Sequence, residues 1–190
     1  ALNHKKNIFV EKPLAINMQE LNEIESCYNK IIKKHDLKLM VGFNRRFSPL
    51  IRKMKNLVDL QPMPKSFIVT VNAGHVPLDH WIHNPDVGGG RILGEACHFV
   101  DLLRYLSGSK IIDFECTKLG DSSGLKITND ISSITLSFED GSIGTIHYFS
   151  NGGNIFPKER IEVFCNNAAL QLNNFISLHG YGWPKFKRTR

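Results

Sequence analysis

Two short stretches about 80 residues apart carry side chains suited to acid/base chemistry: Ile8-Phe9-Val10-Glu11-Lys12-Pro13-Leu14-Ala15 and Gly88-Gly89-Gly90-Arg91-Ile92-Leu93-Gly94-Glu95-Ala96-Cys97-His98-Phe99-Val100-Asp101. In the first, Lys12 closes a β-rich apolar run, and Pro13, lacking an N–H and restraining its predecessor, stops the ladder there. An amine at a strand end sits where ligands collect in open α/β sheets; a solvated strand-end lysine is the plainer account. In the second, three glycines permit close backbone approach or positive φ before a helix from about Ile92 to Ser107, with Gly108 as its C′ residue. Leu93, Val100, Leu103 and Leu106 form its apolar stripe, while Gly94, His98, Asp101 and Tyr105 share another face with Glu95 one turn from His98. An imidazole there can accept a proton near neutral pH. A lone helical histidine is more often packed or capped, so the chemistry rests on the two stretches together.

The elements that must hold these residues follow from spacing. Asn17 caps a helix with Glu20 three residues later, and Met18, Leu21, Ile24, Tyr28, Ile31 and Ile32 keep helical spacing to about His35. Leu39 to Phe43 reads as a strand, and Ser48-Pro49 opens a short helix to about Leu60, proline fitting its first position. Ser66 to Ala73, Ile111 to Leu119, Ile131 to Phe138, Ser142 to Phe149, Arg160 to Phe164 and Ala169 to Leu172 read as strands, with Glu139-Asp140-Gly141 as a tight hairpin turn. Consecutive hairpins imply an antiparallel sheet rather than repeated βαβ units. No Gly-x-Gly-x-x-Gly follows a strand, so the turn that would bind a dinucleotide is absent from these residues.

Composition narrows the class. With 190 residues, 42% hydrophobic and 22% charged, the chain can build one adequate core. No apolar run approaches the roughly 20 residues needed to cross a bilayer, and no signal pattern precedes Lys5-Lys6, so a cytoplasmic protein without membrane contact is expected. Cys27, Cys97, Cys116 and Cys165 are widely spaced, which suits free thiols in a reducing compartment. The net charge of +6 is concentrated: Lys185, Lys187, Arg188 and Arg190 supply four of those charges. The segment Trp183-Pro184-Lys185-Phe186-Lys187-Arg188 reads as a surface extension rather than a nucleic-acid contact.

The order and spacing of Glu11-Lys12-Pro13-Leu14-Ala15, Val41-Gly42-Phe43-Asn44-Arg45-Arg46-Phe47-Ser48-Pro49, and the triple glycine followed by His98-Phe99-Val100-Asp101 resemble the C-terminal portion of Gfo/Idh/MocA-type NAD(P)-dependent oxidoreductases. The resemblance implies an α+β fold: a large open, mainly antiparallel sheet with helices on one face, like the C-terminal domain of glyceraldehyde-3-phosphate dehydrogenase. It would be preceded by the last strand of a truncated Rossmann domain. Residues 1–15 would then be the remnant of the dinucleotide-binding domain and 16–190 the substrate-binding and oligomerisation domain. Lys12 would touch the substrate hydroxyl and the nicotinamide region, with Glu11 and Pro13 beside the NAD or NADP cofactor, and His98 would be the acid/base. Hydride would pass to or from a sugar, sugar-nucleotide or cyclitol carbinol carbon. The Gly-Glu-x-Cys-His form and the tail Gly180-Tyr181-Gly182-Trp183 are most similar to a branch acting in sugar-nucleotide or surface-polysaccharide metabolism. With the phosphate-binding turn missing, the fragment is expected to be inactive alone.

One departure bears on mechanism. Many members carry an aspartate four residues before the histidine, where this chain has Gly94; Glu95, displaced by one residue and so by about 100° around a helix, either replaces it or the role is missing. Arg45 and Arg46 could hold a carboxylate or phosphate of the substrate, or pair with acidic neighbours. In the His75–His83 loop, Trp81 could stack on a sugar face; His80 and His83 are read as loop residues rather than a metal site. Asp101 completes the expected substrate set. A homo-oligomer through the sheet face is expected. The alternative is a non-catalytic sugar-binding or assembly domain of the same fold.

Overall fold

The computed structural model describes residues 1–32, 35–120 and 130–189. Lys33 and Lys34, over which the first helix was expected to run toward His35, and the tail residue Arg190 lie outside the described residues. The chain divides into two compact units, Ala1–Phe43 with Asp79–Cys97, and Asn44–Leu78 with His98–Arg190.

In the first unit, β1 (Ile8–Val10) pairs in parallel with β2 (Leu39–Val41), with Phe9 opposite Met40. The α1 helix (Met18–Ile32) connects them. Its start is fixed as the sequence predicts: Glu20 N–H donates to Asn17 Oδ1 at 2.9 Å, and the Glu20 carboxylate accepts from Ile16 N–H at 3.1 Å, satisfying helix-start donors that would otherwise lack partners. The ribbon thus forms a βαβ arrangement, and residues well past Ala15 share the unit of β1. Its outer pair stays open, Phe9 being 65% and Met40 42% exposed. The segment Asp79–Cys97 adds a 3-10 turn at Trp81–His83 and a π-turn at Ile92–Ala96. The π-turn replaces the first turn of the helix expected from Ile92.

The second unit is an eight-stranded sheet in the order β10-β9-β8-β7-β3-β6-β5-β4. The strands are β3 (Ser66–Asn72), β4 (Ile111–Lys118), β5 (Ser132–Phe138), β6 (Ile143–Phe149), β7 (Glu159–Cys165), β8 (Ala168–Asn173), β9 (Ser177–Tyr181) and β10 (Arg188–Thr189). All neighbours are antiparallel except β3 and β6, which gives the mainly antiparallel α+β fold expected.

Alternation along the strands sorts the two faces. Phe67, Val69 and Val71 of β3, Ile146 and Tyr148 of β6, and Ile161 and Val163 of β7 are buried. Onto this side pack α2 (Pro49–Val58), through Ile51, Met54 and Val58, and α3 (Cys97–Ser107), through Phe99, Leu102, Leu103 and Leu106. The approach of α3 is close enough that a Cβ on Gly144 would lie 2.7 Å from Leu103 Cδ1. The opposite face carries Thr70, His147 and Ser133 in one cross-strand row, with Ser133 Oγ and His147 Nδ1 2.9 Å apart.

The basic tail differs from expectation. It forms the edge strand β10 and is anchored, not extended: Trp183 and Phe186 are buried, and Trp183 Nε1–H donates to the Ala169 carbonyl at 2.9 Å. Aromatic burial against the sheet outweighs the solvation preference of the neighbouring lysines, whose charged ends remain outside.

Candidate active site

Within the first unit the two motif stretches meet through Lys12, which lies two residues past the end of β1 and whose Nζ donates to the Gly94 carbonyl at 2.7 Å. A backbone oxygen, not a carboxylate, is therefore the partner of this ammonium. The acceptor lies in the π-turn, where Cys97 N–H reaches back to Ile92 O; such turns recur at functional sites because they alter the regular i→i+4 pattern.

The glycines around Gly94 have a steric cause. Ile82 is 7% exposed, and its carbonyl accepts from Gly90 N–H at 2.9 Å. A Cβ at Gly88 would sit 2.5 Å from Ile82 Cα, and one at Gly94 would sit 2.8 Å from Ile82 Cδ1. Gly89 and Gly90 have φ of 67° and 86°, conformations open to glycine at no steric cost. The triple glycine thus lies against the backbone of one isoleucine, and a side chain at the position of the expected aspartate would push against that residue's Cδ1 methyl.

Glu95 is engaged elsewhere, its carboxylate pairing at 3.2 Å with Arg91, whose side chain is only 2% exposed. Trp81 stands 58% exposed beside the His80 ring, with centroids 5.5 Å apart, and His80 Nδ1 accepts from Ile82 N–H at 3.2 Å. An exposed, backbone-anchored indole is available for stacking. Glu11 lies against Gly42, where an added Cβ would come within 3.2 Å of its carboxylate; Pro13 follows a cis peptide bond.

In the second unit His98 lies in the first turn of α3 and is buried at 6% exposure. Arg45 and Arg46 are both taken up by protein carboxylates. Arg45 Nη2 donates to Glu159 Oε1 at 2.7 Å and Nε to Oε2 at 3.3 Å, while its guanidinium stacks over Phe99 at 4.7 Å. Arg46 makes the corresponding two-pronged contact with Asp101, Nε to Oδ2 at 2.9 Å, and stacks over Tyr105 at 5.2 Å. Asp101, expected among the substrate contacts, is thus the anchor of Arg46. Bidentate, aromatic-backed pairs of this kind suit arginine geometry, and here they tie the turn after β2 to α3 and β7.

Sequence reasoning missed Glu159 and Ile82. Glu159 had a signal: it shares a strand face with Ile161 and Val163 at two-residue spacing, and a carboxylate in a core-facing register calls for a cation. Ile82 had none, since its role depends on glycines six and twelve residues later.

The sequence profile of the GFO/IDH/MocA C-terminal domain matches residues 51–171. The chain belongs to this family. Among curated Gfo/Idh/MocA-type relatives, it is 30% identical over 184 residues to a myo-inositol 2-dehydrogenase of Thermotoga maritima, covering 90% of this chain and 50% of that protein. It is 28% identical over 177 residues to the uncharacterized oxidoreductase YrbE of Bacillus subtilis, with 92% and 50% covered. The chain spans about half the length of these relatives. Among solved structures, an oxidoreductase domain protein from Kribbella flavida superposes with a TM-score of 0.80 at 21% identity, over 99% of this chain and 57% of that one, a likeness of fold. These relatives are named as dehydrogenases and oxidoreductases.

Proposed function

We propose that this chain is the substrate-binding part of an NAD(P)-dependent oxidoreductase acting on a CH–OH group of a sugar, sugar nucleotide or cyclitol. The observation that carries the reading is the Lys12 ammonium held 2.7 Å from the Gly94 carbonyl, which joins the strand-end lysine to the glycine-rich stretch leading into the helix of His98. When bound, the dinucleotide supplies a nicotinamide ring that accepts or returns hydride. The Glu11-Lys12-Pro13 stretch fits the reactive end of such a group, since it directly follows β1 and the amine is already oriented by the Gly94 carbonyl. The phosphate-binding glycine turn is not among these 190 residues, and by themselves they are inactive in this reading.

Each residue then has a task. Lys12 donates a hydrogen bond to the substrate hydroxyl oxygen and favours its developing negative charge. His98 takes or returns the hydroxyl proton. Trp81 lines the substrate and stacks on an apolar ring face. Arg45, Arg46 and Asp101 contact the substrate in this reading and also brace α3 through the Arg45–Glu159 and Arg46–Asp101 pairs. A homo-oligomer through the polar face of the sheet, and a cytoplasmic setting, complete the proposal; the row Thr70–His147–Ser133 offers hydroxyl and imidazole groups to such an interface.

The second reading, a non-catalytic sugar-binding or assembly domain, is favoured by Gly94 in place of the family carboxylate. Fluorescence titration with NADH and NADPH of the 190-residue chain, beside a version extended upstream by a dinucleotide-binding domain, separates the two. Binding by the extended version, with turnover that drops about 10²-fold in His98→Ala, supports the enzyme. Binding by neither supports the second reading, and unchanged turnover in His98→Ala removes that residue from the mechanism.

A further inference from the structure

Gly94 is not only an absent carboxylate; its surroundings are built. Ile82 is pinned at its main chain by the Gly90 N–H, faced at its Cα by Gly88 and directed through Cδ1 onto Gly94. Gly94 N–H in turn donates to the Gly90 carbonyl at 2.9 Å, so one short loop closes on itself around the isoleucine. The outcome is that the Gly94 carbonyl faces Lys12 Nζ and no side chain can grow from the same carbon without displacing Ile82.

From this we infer that Ile82 is a positioning residue for Lys12: it keys the π-turn so that a neutral backbone carbonyl, in place of a carboxylate, holds the ammonium. The inference rests on the catalytic reading of Lys12 for its importance but not for its geometry. Its chemical consequence is specific. A carbonyl orients the ammonium without neutralising it, leaving the full positive charge for an oxygen that becomes anionic, whereas an aspartate would share that charge. The device therefore suits a substrate that brings its own negative charge to this amine, as an alkoxide or carboxylate oxygen does.

The double change Ile82→Ala with Gly94→Asp is the informative variant, because it removes the Cδ1 methyl against which the single change Gly94→Asp would press. In the 190-residue chain labelled with 15N-lysine, the Lys12 ammonium signal is assigned by its loss in Lys12→Arg. Its proton exchange is expected to be about tenfold slower than that of exposed Lys38, from the charge-assisted bond. Ile82→Ala loses this protection and Ile82→Leu keeps it. Gly94→Asp alone lowers the melting temperature, and adding Ile82→Ala recovers both the melting temperature and a protected ammonium, now paired to the new carboxylate. Retained protection in folded Ile82→Ala, or a Gly94→Asp melt equal to that of the parent, overturns the inference. If Ile82→Ala does not fold, Ile82→Val, which removes only the Cδ1 methyl, is read by the same criterion. Unaltered turnover of Lys12→Met in the extended enzyme would instead refute the catalytic reading and leave the positioning result standing, so the two failures are distinguishable.

Discussion

The two compact units hold their key side chains by opposite means. Around Lys12 the structure relies on backbone: a carbonyl acceptor, a π-turn and glycines that admit one isoleucine. Around Arg45 and Arg46 it relies on charge against charge, with aromatic rings behind the guanidinium groups. The first arrangement leaves an ammonium with charge to share with a ligand. The second pairs its cations with protein carboxylates. An arginine pair beside a helix is therefore poor evidence for an anion site until its neighbours are known, and a lysine without a carboxylate is not thereby idle.

The units differ as strongly in packing, which sets the largest expected effects. Leu103 is fully buried between α3 and β6, so Leu103→Ala should cost about 3 kcal/mol in urea unfolding. Phe9, exposed on the two-stranded ribbon, should change stability by no more than about 0.5 kcal/mol when replaced by alanine. Equal losses at the two sites would erase the contrast and imply that the outer face of β1 is covered in solution.

Next come the ion pairs. Glu159→Gln strands a guanidinium that is 22% exposed, and should cost about 2 kcal/mol by the same measurement, below the roughly 3–5 kcal/mol of a fully buried pair because water still reaches the cation. Glu95→Gln should cost about 1 kcal/mol or less, because that carboxylate is 38% exposed and its attraction is screened. A larger loss at Glu95 would make the Arg91 pair, not the glycine wrap, the main support of the π-turn.

The smallest effect concerns Cys165 at the end of β7. Burial pushes its thiol above the ordinary 9.0, and the nearby Lys65 charge pulls it partly back. The folded state thus favours the neutral thiol. Its contribution is fully present below about pH 9 and is lost as pH rises through the elevated value, since the unfolded chain ionises first. Thermal melts between pH 8 and pH 10.5 should fall more steeply for the parent than for Cys165→Ala. Exposed Cys116 should also react with a thiol reagent well before Cys165; the reverse order would sink this account.

Much of the sheet was legible because its physics is local. Alternation over Ser66–Asn72 or Ser132–Phe138 has the period of a pleated strand with one wet face, and Gly141, at φ 82°, supplies the turn that Glu139-Asp140-Gly141 announces. The strands Ser177–Tyr181 and Arg188–Thr189 were not legible. Their stability comes from Phe186, which lies over Gly180 so closely that a Cβ there would meet its ring at 2.6 Å, and no periodic pattern records such a contact.

For the site, residue types and spacing alone determined that a strand-end lysine and a helix-borne histidine exist, that a glycine turn separates them, and that Gly94 stands where the resemblance leads one to expect a carboxylate. Those are properties of short stretches, set by backbone freedom and hydrophobic period. Only the tertiary structure decided who partners whom: Lys12 with a carbonyl, Glu95 with Arg91, Arg45 with Glu159, Arg46 with Asp101. The separation of 114 positions from Arg45 to Glu159 marks the reason. Burial of a charge selects its partner by distance in space and by the cost of leaving either group unpaired, and neither quantity is written along the chain.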